Sequence, residues 1–262
     1  MLIELFFPKF FFLFRHMNVV QYKESFVDVN SQTLCLVMEY CEKGDILHKI
    51  EGHYKRGTCF AEYELWSALI QCLCGLKALH DLNVMHRDVK CANILISGRG
   101  ECKLADFNVS KVVSQKDGGF LHTQTGTPYY ASPEVWKDRP YDFKSDIWSL
   151  GCVVYEMASL RPPFKAKDMN GLYKKVVSAL YPPLSSRYSG EFKEIISEML
   201  QPNPNLRPST YKLLNNPTVR SKIKELSAFD SNIVSACLQA NLASSIFGKD
   251  VENYLQERGD QY

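Results

Sequence analysis

The sequence predicts an α+β protein, with a short β portion first and a larger, mainly helical lobe after it. Three observations carry this. Thr33 to Tyr40 (TLCLVMEY) is β-prone, mostly apolar, and bounded by Asn30-Ser31 and Lys43-Gly44. After Gly44 the apolar residues recur in long blocks at helical spacing. Between positions 84 and 127, short strand-like pieces (VMH, NILI, CKLA) alternate with polar turns holding His, Arg, Asp, Lys and Asn. Chemistry on a helical scaffold tends to sit on loops of that kind.

Taken in order, the chain opens on MLIELFFPKFFFLFRHMN. Glu4, Pro8 and Lys9 interrupt its apolar run too soon for a membrane-spanning helix. It also lacks the basic start and small-residue cleavage site of a signal peptide. Asn18 to Val29 is a strand candidate that pairs as a hairpin with 33–40, which reads as a buried strand. Residues 62–80 set Leu65, Trp66, Leu69, Ile70, Leu73, Leu76 and Leu79 on one helical face. Residues 146–158 (DIWSLGCVVYEMA) are apolar nearly all round, as in a helix at the centre of a domain, and Pro162-Pro163 ends it. Residues 191–200 place Phe192, Ile195, Ile196 and Met199 together. Pro202, Pro204 and Pro208 then break the chain before a short helix near 209–215. The polar tail after Pro217 reads as a helix or a partly disordered extension.

Composition excludes several classes. Hydrophobic content of 45% and charged content of 23% fit a soluble globular chain. A net charge of +2 gives no reason to expect nucleic acid or an anionic membrane as the partner. The nine cysteines are odd in number and form no pair of C-x-x-C motifs. Neither a disulfide framework nor a zinc site is expected, and reduced cytosolic thiols are.

The chemistry concentrates in His86-Arg87-Asp88-Val89-Lys90-Cys91-Ala92-Asn93-Ile94-Leu95, where an acid, a base and an amide fall within six residues. Asp106-Phe107 comes thirteen residues after Asn93, and Gly126-Thr127-Pro128-Tyr129-Tyr130-Ala131-Ser132-Pro133-Glu134 leads on to Asp146-Ile147-Trp148. Each piece alone is weak, but the four in this order and spacing resemble the protein-kinase signature set. The GTPYYASPE segment, the MEYCEKGDI stretch and residues 182–189 resemble the NIMA-related (NEK) serine/threonine kinases. The resemblance implies a protein-kinase-like fold with a complete, mainly helical C-lobe and a partial β small lobe. It places a stretch foreign to the pattern, or a misassigned gene start, at 1–14. A small-lobe remnant and hinge come next at 15–43, then the C-lobe at 44–217 and a C-terminal extension at 218–262.

The same resemblance implies the activity of a non-specific serine/threonine protein kinase (EC 2.7.11.1) that uses ATP and Mg²⁺. By family likeness, Asp88 orients the substrate hydroxyl and accepts its proton, Lys90 faces the transferring phosphate, and Thr127 bridges Asp88 and Lys90. The likeness makes Asn93 and Asp106 the Mg²⁺ ligands, as hard oxygen donors beside nucleotide phosphates should be. It has Glu39 and Cys41 offer hinge backbone groups to adenine, with Met38 as the gatekeeper and Leu95 as the floor of the pocket. It implies too that Glu134 and Arg207 form a buried ion pair and that Asp146 holds the backbone of His86-Arg87. Tyr22, His86 and Phe107 resemble members of the regulatory spine. Arg87 resembles the arginine that meets a phosphorylated activation-segment residue, with Thr123 the first candidate and Thr125 the second.

Asn108 stands where the family usually has glycine, and asparagine tolerates left-handed backbone angles best among the other residues. The first glycine in the chain is Gly44, so no glycine-rich loop or strand lysine precedes the hinge. A truncated small lobe is therefore expected, and a non-catalytic kinase-like scaffold is the alternative reading. The expected partners are ATP and Ser/Thr protein substrates, with microtubule, centrosome or cilium proteins added by family resemblance. Neither nucleic acid nor membrane is expected, and the location is cytoplasmic, in association with cytoskeleton, centrosome or basal body.

Overall fold

The hairpin at the start of the chain forms, but its surroundings differ from the expectation. In the computed structural model, which describes residues 14–106, 128–230, 232–233 and 235–240, strand β1 (Tyr22–Asp28) pairs antiparallel with β2 (Thr33–Met38). Strand β2 is not buried. Val27 (46%), Leu34 (39%), Leu36 (38%) and Met38 (49%) are all substantially exposed. Pairing satisfies one edge of each strand, yet no further layer covers either face among the described residues. Apolar alternation on a two-stranded ribbon then leaves apolar surface in water.

The segment leading into this hairpin is bound tightly to the helical lobe. Asn18, fully buried, donates from Nδ2 to the Gln71 Oε1 (3.1 Å) and to the Cys102 carbonyl (2.9 Å). Backbone bonds Val20 N to Leu104 O (2.8 Å) and Leu104 N to Asn18 O (2.9 Å) continue the seam. Phe14 is buried in the core at 3% exposure, so the boundary expected after it cuts through packed structure.

Helix α1 (Ile46–Arg56) starts at Asp45, whose carboxylate caps the His48 N–H, and stops at Gly57 in the left-handed region. Helix α2 (Glu62–Asp81) has all of residues 65–66 and 68–79 buried, not just one face. Charged Lys77 lies within this stretch and reaches Asp81 at 2.5 Å. Gly75 allows the closest approach in the helix, because a Cβ there would stand 2.7 Å from the Asn18 carbonyl oxygen. Strands β3 (Ile94–Ile96) and β4 (Cys102–Leu104) pair antiparallel next to it. The expected strand piece at Val84–His86 joins no sheet: the Val84 N–H donates to the Leu79 carbonyl (2.9 Å) and the His86 N–H to Asp146.

After the short helix α3 (Pro133–Trp136) comes α4 (Phe143–Ser159), with residues 145–158 buried throughout. The all-round apolar pattern is thus realised at the centre of the lobe. Helix α4 ends at Leu160 in the left-handed region, ahead of the proline pair. Helix α5 (Met169–Val177) was not singled out by the sequence. Helix α6 (Gly190–Met199) buries the expected Phe192, Ile195, Ile196 and Met199, and α7 (Thr210–Leu214) is the expected short helix. Helix α8 (Pro217–Ser227) buries Val219 and Leu226, so the boundary at 217/218 falls inside a packed helix. Among the described residues no helix is long and apolar enough to cross a membrane.

Val27 and Leu36 lie on one face of the hairpin. Replacing both with lysine should sharply reduce aggregation measured by light scattering. It should move the melting temperature by no more than about 4 °C, since neither residue is packed. Unchanged scattering would show that the sticky surface lies elsewhere.

Candidate active site

A single buried carboxylate organises the loop that comes after α2. Asp146, in the first turn of α4, accepts the His86 N–H at Oδ2 (3.0 Å) and the Arg87 N–H at Oδ1 (2.9 Å). The Tyr141 hydroxyl (2.6 Å) and the His80 ring nitrogen (2.8 Å) complete four bonds to its two oxygens. Burial works against ionisation of Asp146. The His80 bond and charge, the His86 ring and the Tyr141 hydroxyl outweigh it, holding the carboxyl below its ordinary value. Arg87 needs this support, because it takes φ 69° without being glycine. Burial also lowers the pKa of His86, and the resulting neutral ring accepts the Asp88 N–H at Nδ1 (3.3 Å).

The loop then presents Asp88. Its Oδ2 receives the Lys90 ammonium at 2.6 Å and the Asn93 Nδ2 at 2.9 Å, and Asn93 Nδ2 also donates to the Asp88 carbonyl at 2.9 Å. A carboxylate with two such donors is fixed in orientation while its side chain stays about a quarter exposed, at 26%. The bond from Ala105 N to Asn93 O (2.8 Å) brings Asp106 beside this group, and Asp106 is exposed with φ 57°. With Asn93 Nδ2 committed to Asp88, its Oδ1 accepts no hydrogen bond among the described residues. Asn93 Oδ1 and the Asp106 carboxylate are both hard oxygen donors, the type that Mg²⁺ prefers.

A second part of the site is apolar. Val20, Cys41 and Ala105 form a small buried cluster against which Leu95 packs. Glu39 donates its backbone N–H to the Gln21 carbonyl (2.8 Å), and its side chain is held by buried Lys103 at 2.9 Å. Met38 stands apart from the cluster, about half exposed. Sequence reading singled out Cys41 and Leu95 but missed Val20, Ala105 and Lys103. The position of Ala105 directly before Asp106 was the available signal for one of them.

One predicted support, the buried ion pair, is in place. Arg207 meets Glu134 with paired bonds of 2.7 and 3.1 Å, both residues are buried, and the guanidinium lies over the Trp148 ring. Tyr22 and His86 are both buried. A further network was not foreseen. The Tyr130 hydroxyl (2.6 Å) and the Cys91 thiol (3.5 Å) both donate to Glu156, joining Tyr130 to the loop that carries Asp88. No local spacing marks these three residues as partners. Phe107, Asn108, Thr123, Thr125 and Thr127 lie outside the described residues.

An α+β lobe with an aspartate fixed by a lysine and an asparagine, near a second aspartate and a buried apolar cluster, is the arrangement of a protein-kinase domain. The protein kinase domain family matches residues 9–219, and the chain belongs to it. Its similarity is to serine/threonine kinases of the NEK group. It is 38% identical over 211 residues to the serine/threonine-protein kinase Nek1 of Mus musculus, which is 80% of this chain and 17% of that protein. Identity is 40% over 212 residues to Nek3 of Oryza sativa subsp. japonica, covering 81% and 35%. It is 35% over 214 residues to the probable kinase nek2 of Dictyostelium discoideum, covering 80% and 51%. The chain thus spans from about a sixth to about half the length of these relatives.

The Glu134–Arg207 pair should contribute to the acid limb of stability. Burial opposes ionisation of Glu134, but the Arg207 bonds and charge, with the Ser145 hydroxyl, bring its carboxyl below the ordinary 4.5. The stabilisation is then complete above that value and is lost as pH falls through the lower folded value. Glu134→Gln should cost about 3–5 kcal/mol at neutral pH and flatten the stability slope below pH 4.5, read by urea unfolding at stepped pH. A variant as stable as the parent would refute the assignment.

Proposed function

We propose that the chain transfers the γ-phosphoryl group of ATP to serine or threonine hydroxyls of protein substrates. The observation that carries this is the Asp88 carboxylate, held by Lys90 and Asn93 in a loop whose backbone Asp146 fixes. In transfer, the substrate oxygen attacks the γ-phosphorus, ADP departs, and Asp88 takes the hydroxyl proton. The Lys90 ammonium then faces the charge spread over the transferring oxygens. Lysine two residues after the aspartate agrees with the serine/threonine class. Thr127 is assigned the hydroxyl that bridges Asp88 and Lys90.

ATP is read as lying with its adenine on the Val20, Cys41, Leu95 and Ala105 cluster, between Met38 and the backbone groups of Glu39 and Cys41. Asn93 and Asp106 would hold Mg²⁺, which supplies positive charge to the phosphates. The catalytic lobe is read as spanning 44 to about 217, preceded by small-lobe and hinge residues from 15. A purely docking role gives no reason for the Asp88, Lys90, Asn93 and Asp106 arrangement. Cytoskeletal, centrosomal or ciliary partners in the cytoplasm remain a proposal resting on the NEK likeness alone.

Transfer from Mg-ATP to a serine- or threonine-containing peptide tests the reading. Asp88→Asn should slow it at least about a hundredfold, with melting and nucleotide binding little changed. A parent chain that transfers nothing, or an Asp88→Asn variant equal to it, would overturn the assignment.

Calorimetry separates the metal role. ATP binding should require Mg²⁺ and weaken at least about tenfold in Asp106→Asn. Tight binding without metal would contradict the ligand assignment.

A further inference from the structure

We infer that Cys74 and Cys237 form a modification site: a dithiol that peroxide converts to a disulfide, latching the C-terminal segment onto α2. The two sulfurs lie 3.6 Å apart, although the residues are separated by 163 positions in the chain. A disulfide needs about 2.05 Å, so a small adjustment of two side chains closes the gap.

The segment is already seated where the bond would form. Ile233, Ala236 and Ala240 are buried, and the Met17 N–H donates to Gln239 Oε1 at 2.7 Å. The Ser67 hydroxyl also reaches Asp230 at 3.4 Å. The sulfurs are therefore held in register by contacts that do not involve them.

The two thiols differ in access. Cys237 is half-buried and open to a small oxidant, while Cys74 is sealed behind it. The two sulfurs share one hydrogen bond in which either can be the donor, so access sets their roles. Cys237 is thus the attacking group and Cys74 the resolving one. Cys72 and Cys102 also interact, but both are buried, so oxidant does not reach them first.

The chemistry balances with hydrogen peroxide as the oxidant. The Cys237 thiolate attacks one peroxide oxygen, the O–O bond breaks, and a sulfenic acid forms as hydroxide leaves and becomes water. The Cys74 sulfur then attacks the sulfenic sulfur, the S–O bond breaks, and a second water departs with the Cys74 proton. Two thiols lose two electrons in total, and one peroxide becomes two waters. The product closes a very long loop, which constrains the unfolded chain most strongly.

The test uses the full chain, treated with hydrogen peroxide, alkylated, digested without reduction and mapped by mass spectrometry. A linked Cys74–Cys237 peptide that dithiothreitol removes is expected, with a melting temperature at least about 3 °C above that of the reduced chain. Cys237→Ser, at a half-exposed position, should fold normally and lose both the peptide and the shift, and Cys74→Ala should leave Cys237 as the sulfenic acid. Mapping rather than thiol counting is required because Cys59 and Cys35 are also accessible. Recovery of Cys237 from the parent chain as sulfinic acid, its linkage to Cys59 or Cys35, or a linked peptide with no thermal shift would overturn the inference.

Discussion

The structure depends on one buried charge. Asp146 has no exposed surface, and an isolated carboxylate in such a place is costly. It is tolerated because two backbone N–H groups, a tyrosine hydroxyl and an imidazole all converge on its two oxygens. The same bonds that satisfy Asp146 hold Arg87 in its left-handed conformation and so aim Asp88. The central helix that carries Asp146 is in turn fixed by stacked Trp148 and Phe164 and by the Arg207 guanidinium over Trp148. Core packing, loop geometry and the orientation of the Asp88 carboxylate are thus links in one chain of causes.

The second constraint is the seam between α2 and the residues ahead of the hairpin. Asn18 Nδ2 donates to Gln71 Oε1 and to the Cys102 carbonyl, the Cys102 N–H donates to the same Gln71 oxygen, and Gly75 leaves room for the Asn18 carbonyl. This seam sets Val20 and Ala105 together in the small buried apolar cluster. The pairing of Lys103 with Glu39 ties the connection after β2 to the same strand. Gln239 of the C-terminal segment accepts the Met17 N–H just ahead of this seam. The site and the C-terminal segment therefore share a mechanical neighbour without sharing a residue.

Much of this was legible in the sequence because it was written in local pattern. The continuous apolar texture of 146–158 marked the central helix, and the spacing of Phe192, Ile195, Ile196 and Met199 marked α6. The catalytic loop was readable because its residues are contiguous. Helix α1 was harder, since only Ile46 and Ile50 are buried among eleven residues. Strand β2 misled for the opposite reason. Apolar alternation reports what a strand can bury, and says nothing of whether a second layer is there to cover it. His80, Lys103, Tyr130 and Glu156 were invisible because their roles arise from partners that are remote in the chain.

Amide hydrogen exchange at His86 and Arg87 tests the central claim most directly, comparing the parent with Asp146→Asn. The substitution keeps the volume but leaves one acceptor oxygen where two served four donors. At least one of the two amides should exchange about tenfold faster or more, while the amides in the middle of α4 keep their protection. If both amides stayed as protected as in the parent, Asp146 would not be what holds the loop.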